Sequence, residues 1–293
     1  MNEYGQVPSG AEVRQPLTGT AWVYMVRCER GELYSGWTND LAKRLRAHRT
    51  GKGGAKYTRA HGAVALAYAE RCADKSTALR REIELKALTK ADKEALCAAW
   101  ACNNAVTLRA ATPDDAEAVV TLYNRYVRGS TATFQYEPST VEDYRAQIAE
   151  VWQHAPFLLA ETADGRLAGY ACAHPWHERK AFSWDVELTI YCDPDCVGQG
   201  VGRRLYTALI ELVRRQGYHN AYALVAWPNP ASEAFHRAFG FRRYGLERNT
   251  GYKFGQWLGL GYWALPLQDA DGAPAPVRLR LTEQEIAEAC AVK

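Results

Sequence analysis

No apolar run in this chain approaches the roughly 20 residues that a membrane-spanning helix requires, so no membrane partner is expected. Cysteine occurs eight times (Cys28, Cys72, Cys97, Cys102, Cys172, Cys192, Cys196, Cys290), without the spacing of a disulfide framework. The chain also opens without the charged-then-apolar segment of a secretory signal. These absences point to a soluble protein of the reducing cytoplasm. No internal repeat is visible. Zinc ligands are poorly arranged: Cys192 and Cys196 flank a glycine turn, and His174 and His177 precede a strand. A Gly-x-Gly-x-x-Gly fingerprint with a partner acid on a second strand is missing too, which argues against a nicotinamide cofactor.

What is present suffices for two packed cores, since the chain has 293 residues of which 47% are hydrophobic. The net charge of +3 conceals a split: residues 1–104 carry 17 Lys and Arg against 11 Asp and Glu, and the remainder carries 19 against 22. Such asymmetry suggests that the N-terminal half meets a polyanion.

Residues 1–19 read as a flexible arm. Strand-like runs at 22–28 and 33–38 flank a hairpin signal, and a helix capped by Asn39 or Asp40 follows, with Leu41, Leu45 and His48 on one face. A basic glycine loop at 51–56, a strand near 64–69 and helices over 76–88 and 89–101 close a first domain at 20–102. A second domain is expected at 105–268, with a helix opened by Thr112-Pro113-Asp114 and another by a capping box at Ser139 and Glu142. Strands at 157–161, 167–174, 182–192 and 220–226, helices from Gly200 and Pro230, and strands near Arg242 and Tyr262 complete it. Residues 269–293 read as a linker and a short helix capped near Thr282. The overall class is α/β (α+β).

The most informative stretch runs from the apolar strand at 186–192, through Asp193-Pro194 and Gly198-Gln199-Gly200-Val201-Gly202, into an amphipathic helix. Closely spaced glycines let backbone approach a ligand, and the amides of a helix start attract a diphosphate. Coenzyme A is the favoured nucleotide. With Arg109-Ala110-Ala111-Thr112-Pro113-Asp114, Thr131-Ala132-Thr133-Phe134, Val186-Glu187-Leu188-Thr189-Ile190-Tyr191, Pro228-Asn229-Pro230-Ala231-Ser232 and 251–257, this half resembles the phosphinothricin acetyltransferase group of the GNAT superfamily. The resemblance implies a mixed-sheet fold and acetyl-CoA as cosubstrate. It places the pantetheine arm on the backbone of Ile190, Tyr191 and Cys192, and the diphosphate on Val197, Gly198, Gln199, Gly200, Val201 and Gly202. Asn229 and Ser232 are implied cofactor contacts, Glu187 the general base, and His236 the group that protonates the leaving thiolate. Phe134, Arg179 and Lys253 match positions that line the substrate pocket, and relatives commonly dimerise. The plain structural alternatives are an ion pair between Glu187 and Arg179, and packing roles for His236 and Phe134. Val197 stands where relatives carry Arg or Gln.

In the first half, Trp22-Val23-Tyr24 and Tyr34-Ser35-Gly36 lie ten residues apart on paired strands, followed by Arg44, His48 and Glu82. With Ala78-Leu79-Arg80-Arg81-Glu82 and 51–59, residues 20 to about 95 resemble the GIY-YIG nuclease domain in its small bacterial form, a three-stranded α/β unit. Phosphodiester cleavage needs an activated water, charge neutralisation and help for the leaving oxygen. The resemblance casts Arg44 as phosphate clamp, Glu82 as Mg²⁺ ligand and Tyr24 or Tyr34, beside His48, as the proton-handling hydroxyl. Lys43, Arg46, Lys52, Lys56 and Arg59 would grip a DNA backbone without reading sequence. Departures are Trp22 for the first Gly, Ser35 for the central Ile, and no Asn about a dozen residues beyond Glu82.

The expectation is therefore an N-acetyltransferase acting on a small amino-acid-like amine, fused to a Mg²⁺-dependent endonuclease-like domain. The rival is a nucleic-acid-binding module that does not cut, carrying a protein-directed acetyltransferase.

Overall fold

The computed structural model describes residues 21–103, 106–196, 199–269 and 272–291. The expected arm at 1–19 lies outside them. The class is mixed α/β. The N-terminal unit is a three-stranded antiparallel sheet in the order β2–β1–β3, with β1 at Ala21–Cys28, β2 at Leu33–Thr38 and β3 at Ala63–Cys72. Successive side chains of a strand point to opposite faces, so β1 serves two cores. Val23 and Met25 pack with Tyr68, Ala78, Leu85 and Cys97 under helices α3 (Lys75–Ala87) and α4 (Lys90–Asn103). Tyr24 and Val26 face Leu41 and Leu45 of α1 (Leu41–Thr50). Asp40 caps α1 by accepting from the Lys43 N–H at 2.8 Å.

A short helix α2 at Lys56–His61, absent from the sequence expectations, follows the basic loop. Its six residues are too few to show a period, and Thr58 is its one buried residue.

The second unit is a seven-stranded sheet in the order β4–β5–β6–β7–β8–β10–β9. Its strands are β4 (Val106–Ala110), β5 (Phe157–Thr162), β6 (Leu167–Pro175), β7 (Asp185–Cys192), β8 (Asn220–Trp227), β9 (Arg242–Lys253) and β10 (Gln256–Pro266). Every neighbouring pair is antiparallel except β7 and β8. One face packs on α5 (Ala116–Gly129) and α6 (Val141–Val151) through Val119, Tyr144, Ile148, Phe157 and Tyr170. The other packs on α7 (Val201–Gln216), whose Leu205, Leu209 and Leu212 are fully buried. Helix α8 spans Pro230–Ala238, and α9, Glu283–Cys290, lays Ala289 and Cys290 against the α7 core.

Two local expectations need correction. The α6 cap is Thr140 with Asp143, not Ser139 with Glu142. The long central strand starts at Asp185, because Lys180–Phe182 forms a 3₁₀ turn. Among the described residues no helix is long and apolar enough to cross a membrane, and the cysteines at 28, 72, 97, 172, 192, 196 and 290 are free thiols.

Candidate functional site

The parallel ladder between β7 and β8 has three rungs: Asp185 with Asn220, Val186 with Ala221 and Glu187 with Tyr222. From Leu188 to Cys192, β7 stays paired with β6 on its other side but has no rung with β8. The two strands therefore fork, and the peptide groups of Leu188–Cys192 on the side away from β6 have no strand partner among the described residues, with the Cys192 carbonyl taken by the Tyr126 hydroxyl. Ile190, Tyr191 and Cys192 lie along that open edge. Glu187 occupies the last rung before the fork.

Beyond Cys192 a 3₁₀ turn at Pro194–Cys196 leads to Gln199 and Gly200. Gly200 has φ +79°, a conformation that favours glycine, and it caps α7 without a side-chain acceptor. No acid stands in the first turn of α7, so its leading amides carry the positive end of a 16-residue helix dipole without an acidic side chain of that turn. A Cβ on Gly202 would sit 3.3 Å from the Cys192 Sγ, so a glycine there lets α7 press against the end of β7. Gln199 Oε1 is buried without a hydrogen-bond partner beside this turn. A helix start whose leading amides have no side-chain cap suits a diphosphate-bearing ligand. Val197 and Gly198 lie outside the described residues.

A charge cluster missed in the sequence reading anchors this turn. Asp193, buried, accepts from Arg125 at 2.6 Å, from Arg166 at 2.9 Å and from the Asp195 N–H at 2.8 Å, while the Tyr126 hydroxyl donates to the Cys192 carbonyl at 2.5 Å. Removing one member of a buried pair strands the other charges. Asp193→Ala is expected to lower unfolding free energy by about 2–4 kcal/mol and to weaken acetyl-CoA binding, checked by urea denaturation and by titration calorimetry.

Glu187 is largely desolvated, which raises its carboxyl pKa above the ordinary range. Neither Glu187 nor Arg179 makes an ion pair among the described residues. Tyr222, its ladder partner, stacks on Trp176 with ring centroids 4.5 Å apart. Trp176 and the exposed Arg179 line a groove of about 980 Å³ with His177, Phe182 and Asp185, and Glu187 is not in its wall.

The other implied residues divide. Asn229 caps α8 by accepting from the Ser232 N–H at 3.1 Å. His236 is 4% exposed and lies among Tyr206, Phe235 and Phe241, with Nδ1 2.8 Å from the Ser232 carbonyl oxygen. Burial lowers its pKa, which favours the neutral ring. Lys253 is 3% exposed and donates from Nζ to the carbonyls of Ser130 and Thr133 at 3.0 and 2.8 Å. Burial pulls its pKa down to about 8. Its ammonium therefore holds the 130–134 loop. Phe134 packs on Gly251, where a Cβ would lie 2.6 Å from the ring.

In the N-terminal unit the implied residues converge. The Thr58 hydroxyl donates to the Ala55 carbonyl at 3.1 Å, so its oxygen accepts from His48 Nδ1–H at 2.6 Å. His48 Nε2 is then the acceptor for the Tyr24 hydroxyl at 2.7 Å, and Arg44 Nε–H donates to the same phenol oxygen at 3.0 Å. Desolvation and the nearby Arg44 lower the His48 pKa to about 4, while burial pushes Tyr24 up to about 12. Gly36 makes room for this arrangement, since a Cβ there would lie 2.7 Å from the Tyr24 hydroxyl. Tyr24 is fully buried, whereas Tyr34 is half-buried beside His48, with centroids 5.4 Å apart. Glu82 pairs with Lys86 at 2.9 Å. Among the described residues no group of three or more His, Cys, Asp or Glu could hold a metal. Where relatives place an Asn, Glu94 is tied to Arg27 at 2.7 Å. Lys43, Arg46, Lys52, Lys56 and Arg59 make no ion pair among the described residues.

A forked β7–β8 pair with a bare turn and uncapped helix defines a nucleotide-thiol acyltransferase fold. Residues 108–259, more than half of the chain, match the Acetyltransferase (GNAT) domain, and the chain belongs to the GNAT acetyltransferase family. Residues 20–95 match the GIY-YIG catalytic domain, so the chain is a fusion of the two. A phosphinothricin N-acetyltransferase of Streptomyces viridochromogenes is 35% identical over 173 residues, covering 59% of this chain and 93% of that protein. An L-methionine sulfoximine/L-methionine sulfone acetyltransferase of Pseudomonas aeruginosa is 34% identical, covering 57% and 98%. The crystal structure of a GNAT superfamily phosphinothricin acetyltransferase from Sinorhizobium meliloti in complex with AcCoA is 29% identical with a TM-score of 0.56, covering 58% of this chain and 93% of that one.

Proposed function

We propose that the C-terminal domain transfers the acetyl group of acetyl-CoA to the primary amine of a small amino-acid-like acceptor of the phosphinothricin or methionine sulfoximine type. The observation that carries this reading is the position of Glu187 on the last rung before the fork. Acetyl-CoA supplies the activated acyl group. An ammonium has no lone pair to attack with, so a base must first take its proton. Glu187, desolvated and without an ion-pair partner, can do so directly or through one water. Open backbone on Leu188–Cys192 would hold the pantetheine arm, and the α7 amides the diphosphate. The acceptor reading is supported by the names of the relatives and by the exposed Arg179, whose guanidinium suits an acceptor carboxylate or phosphinate. A thiol-release assay over free amino-acid analogues and peptide amines tests it. Turnover of phosphinothricin, methionine sulfoximine or methionine sulfone is expected, and activity confined to peptide amines would overturn the small-molecule reading.

For the N-terminal domain we infer phosphodiester cleavage assisted by Mg²⁺. Mg²⁺ is usually held by one or two carboxylates with waters and substrate phosphate, so a single Glu82 fits such an ion. The ion would supply charge neutralisation. Arg44 would bind the phosphate, and the exposed cations of α1, the glycine loop and α2 would hold the backbone of DNA. The observation favouring this reading is the hydrogen-bonded chain Arg44–Tyr24–His48–Thr58.

A further inference from the structure

Helix α2 brings a feature that the assigned residues leave unexplained. Tyr57 is 41% exposed, on a six-residue helix whose one buried residue is Thr58. Its ring lies nearly parallel to His61, with centroids 4.1 Å apart and planes at 13°, and the His61 Nδ1–H donates to the Tyr57 carbonyl at 2.9 Å, which fixes the imidazole plane. Tyr57 also lies nearly parallel to Tyr34, with centroids 6.0 Å apart and planes at 21°, and Tyr34 in turn meets His48 at 5.4 Å. A row of rings thus leads outward from the Arg44–Tyr24–His48 cluster: His48, Tyr34, Tyr57, His61. Lys52, Lys56 and Arg59 border it, all exposed and without ion pairs among the described residues.

An aromatic ring left in water at the rim of a basic surface has a specific use. Unpaired nucleobases stack on such rings whatever their identity, while cations follow the backbone. In a duplex the faces of the bases are hidden, so a ring row offers nothing to paired DNA beyond its cations. We infer that Tyr57, with Tyr34 and His61, forms a stacking platform for the unpaired bases of a single-stranded polynucleotide, next to the phosphate-handling cluster. The inference rests on reading this domain as one that acts on polynucleotides, and it narrows the substrate to strands with exposed bases. Charge complementarity favours this occupant over an apolar peptide, since the exposed cations Lys52, Lys56 and Arg59 make no ion pair among the described residues and would meet a polyanion's phosphates.

The test measures binding of the full chain, in EDTA so that no strand is cut, by fluorescence anisotropy of three labelled probes. These are a 20-nucleotide oligothymidine, an abasic oligomer of the same length and charge, and a 20-base-pair duplex. The oligothymidine is expected to bind more tightly than the abasic oligomer and the duplex. Tyr57→Ala should weaken oligothymidine binding by about 5- to 100-fold and leave the abasic oligomer within about twofold. Tyr57→Phe, which keeps the ring, should restore it. Lys56→Ala should weaken both single strands alike. Acetyl transfer by every variant should match the wild type, and retained binding of the abasic oligomer by Tyr57→Ala shows that the N-terminal unit is folded. Equal affinity for the oligothymidine and the abasic oligomer, or an unchanged oligothymidine affinity in Tyr57→Ala, overturns the platform while leaving the polynucleotide reading in place. No binding of any probe at low salt overturns both.

Discussion

Glu187→Gln is expected to reduce kcat/KM for the amine acceptor by about 10²- to 10⁴-fold at pH 7, with the acetyl-CoA dissociation constant within about twofold of wild type. The asymmetry follows from where the side chain sits. Its backbone ends the β7–β8 ladder, so the fork proposed to receive the cofactor arm does not depend on the carboxylate. Its charge, by contrast, is what takes a proton from an ammonium. Glutamine is nearly isosteric and cannot accept that proton. The pH profile carries a second signature. Burial raises the Glu187 pKa, so the basic form is lost as pH falls through a value above the usual carboxylate range. Wild-type activity should fall on the acid side with that ionisation. The glutamine variant should lack that limb, and its residual rate should climb about tenfold per pH unit as the free-amine fraction grows. A glutamine variant with wild-type rate and an unchanged acid limb would remove Glu187 from the chemistry.

What the linear chain reveals of this molecule depends on how far apart the interacting groups are. The caps at Asp40 and Thr282, the hairpin at 29–32 and the periodic faces of α1, α5 and α7 are local, and a reader of the sequence can place them. The α6 cap is local too, yet Ser139 and Thr140 each have an acid three residues on, Glu142 and Asp143, so only backbone geometry decides between them. Helix α2 has too few residues for a period, and the ring row built on it joins Tyr34 to Tyr57 across two elements. The clamp on Asp193 is further out of reach, since Arg125 and Arg166 lie 68 and 27 positions away. The surroundings of His236, which the resemblance casts as the group that protonates the leaving thiolate, are equally hidden, since Tyr206 and Trp263 reach it from distant parts of the chain. The bonds that the Lys253 ammonium donates to the carbonyls of Ser130 and Thr133 span 123 and 120 positions and are likewise out of reach of a linear reading.

In the N-terminal domain, Arg44→Ala is expected to lower Mg²⁺-dependent nicking of branched or single-stranded DNA by about 10²- to 10³-fold, with acetyl transfer unchanged. Two hydrogen bonds orient this guanidinium, one to the Tyr24 hydroxyl and one to the Gly53 carbonyl at 3.1 Å. The side chain is thereby preorganised, and a preorganised cation stabilises charge that develops on a phosphate without reorganising at the moment of reaction. Lysine cannot substitute: a point charge on a flexible stem makes neither the bond to the phenol nor the forked contact with phosphate. Arg44→Lys should accordingly recover less than about a tenth of the loss. The phenol itself keeps its bond to His48, whose depressed pKa leaves it neutral and accepting at pH 7, so the variant should fold. Glu82→Ala should match Arg44→Ala in the loss, because cleavage would need both the cation clamp and the carboxylate that holds the ion. Nicking by both variants at the wild-type rate would exclude this cluster from the chemistry. If the wild type binds single strands but cuts none, the same cluster becomes a phosphate grip, and the domain delivers the acetyltransferase to nucleic acid instead of cleaving it.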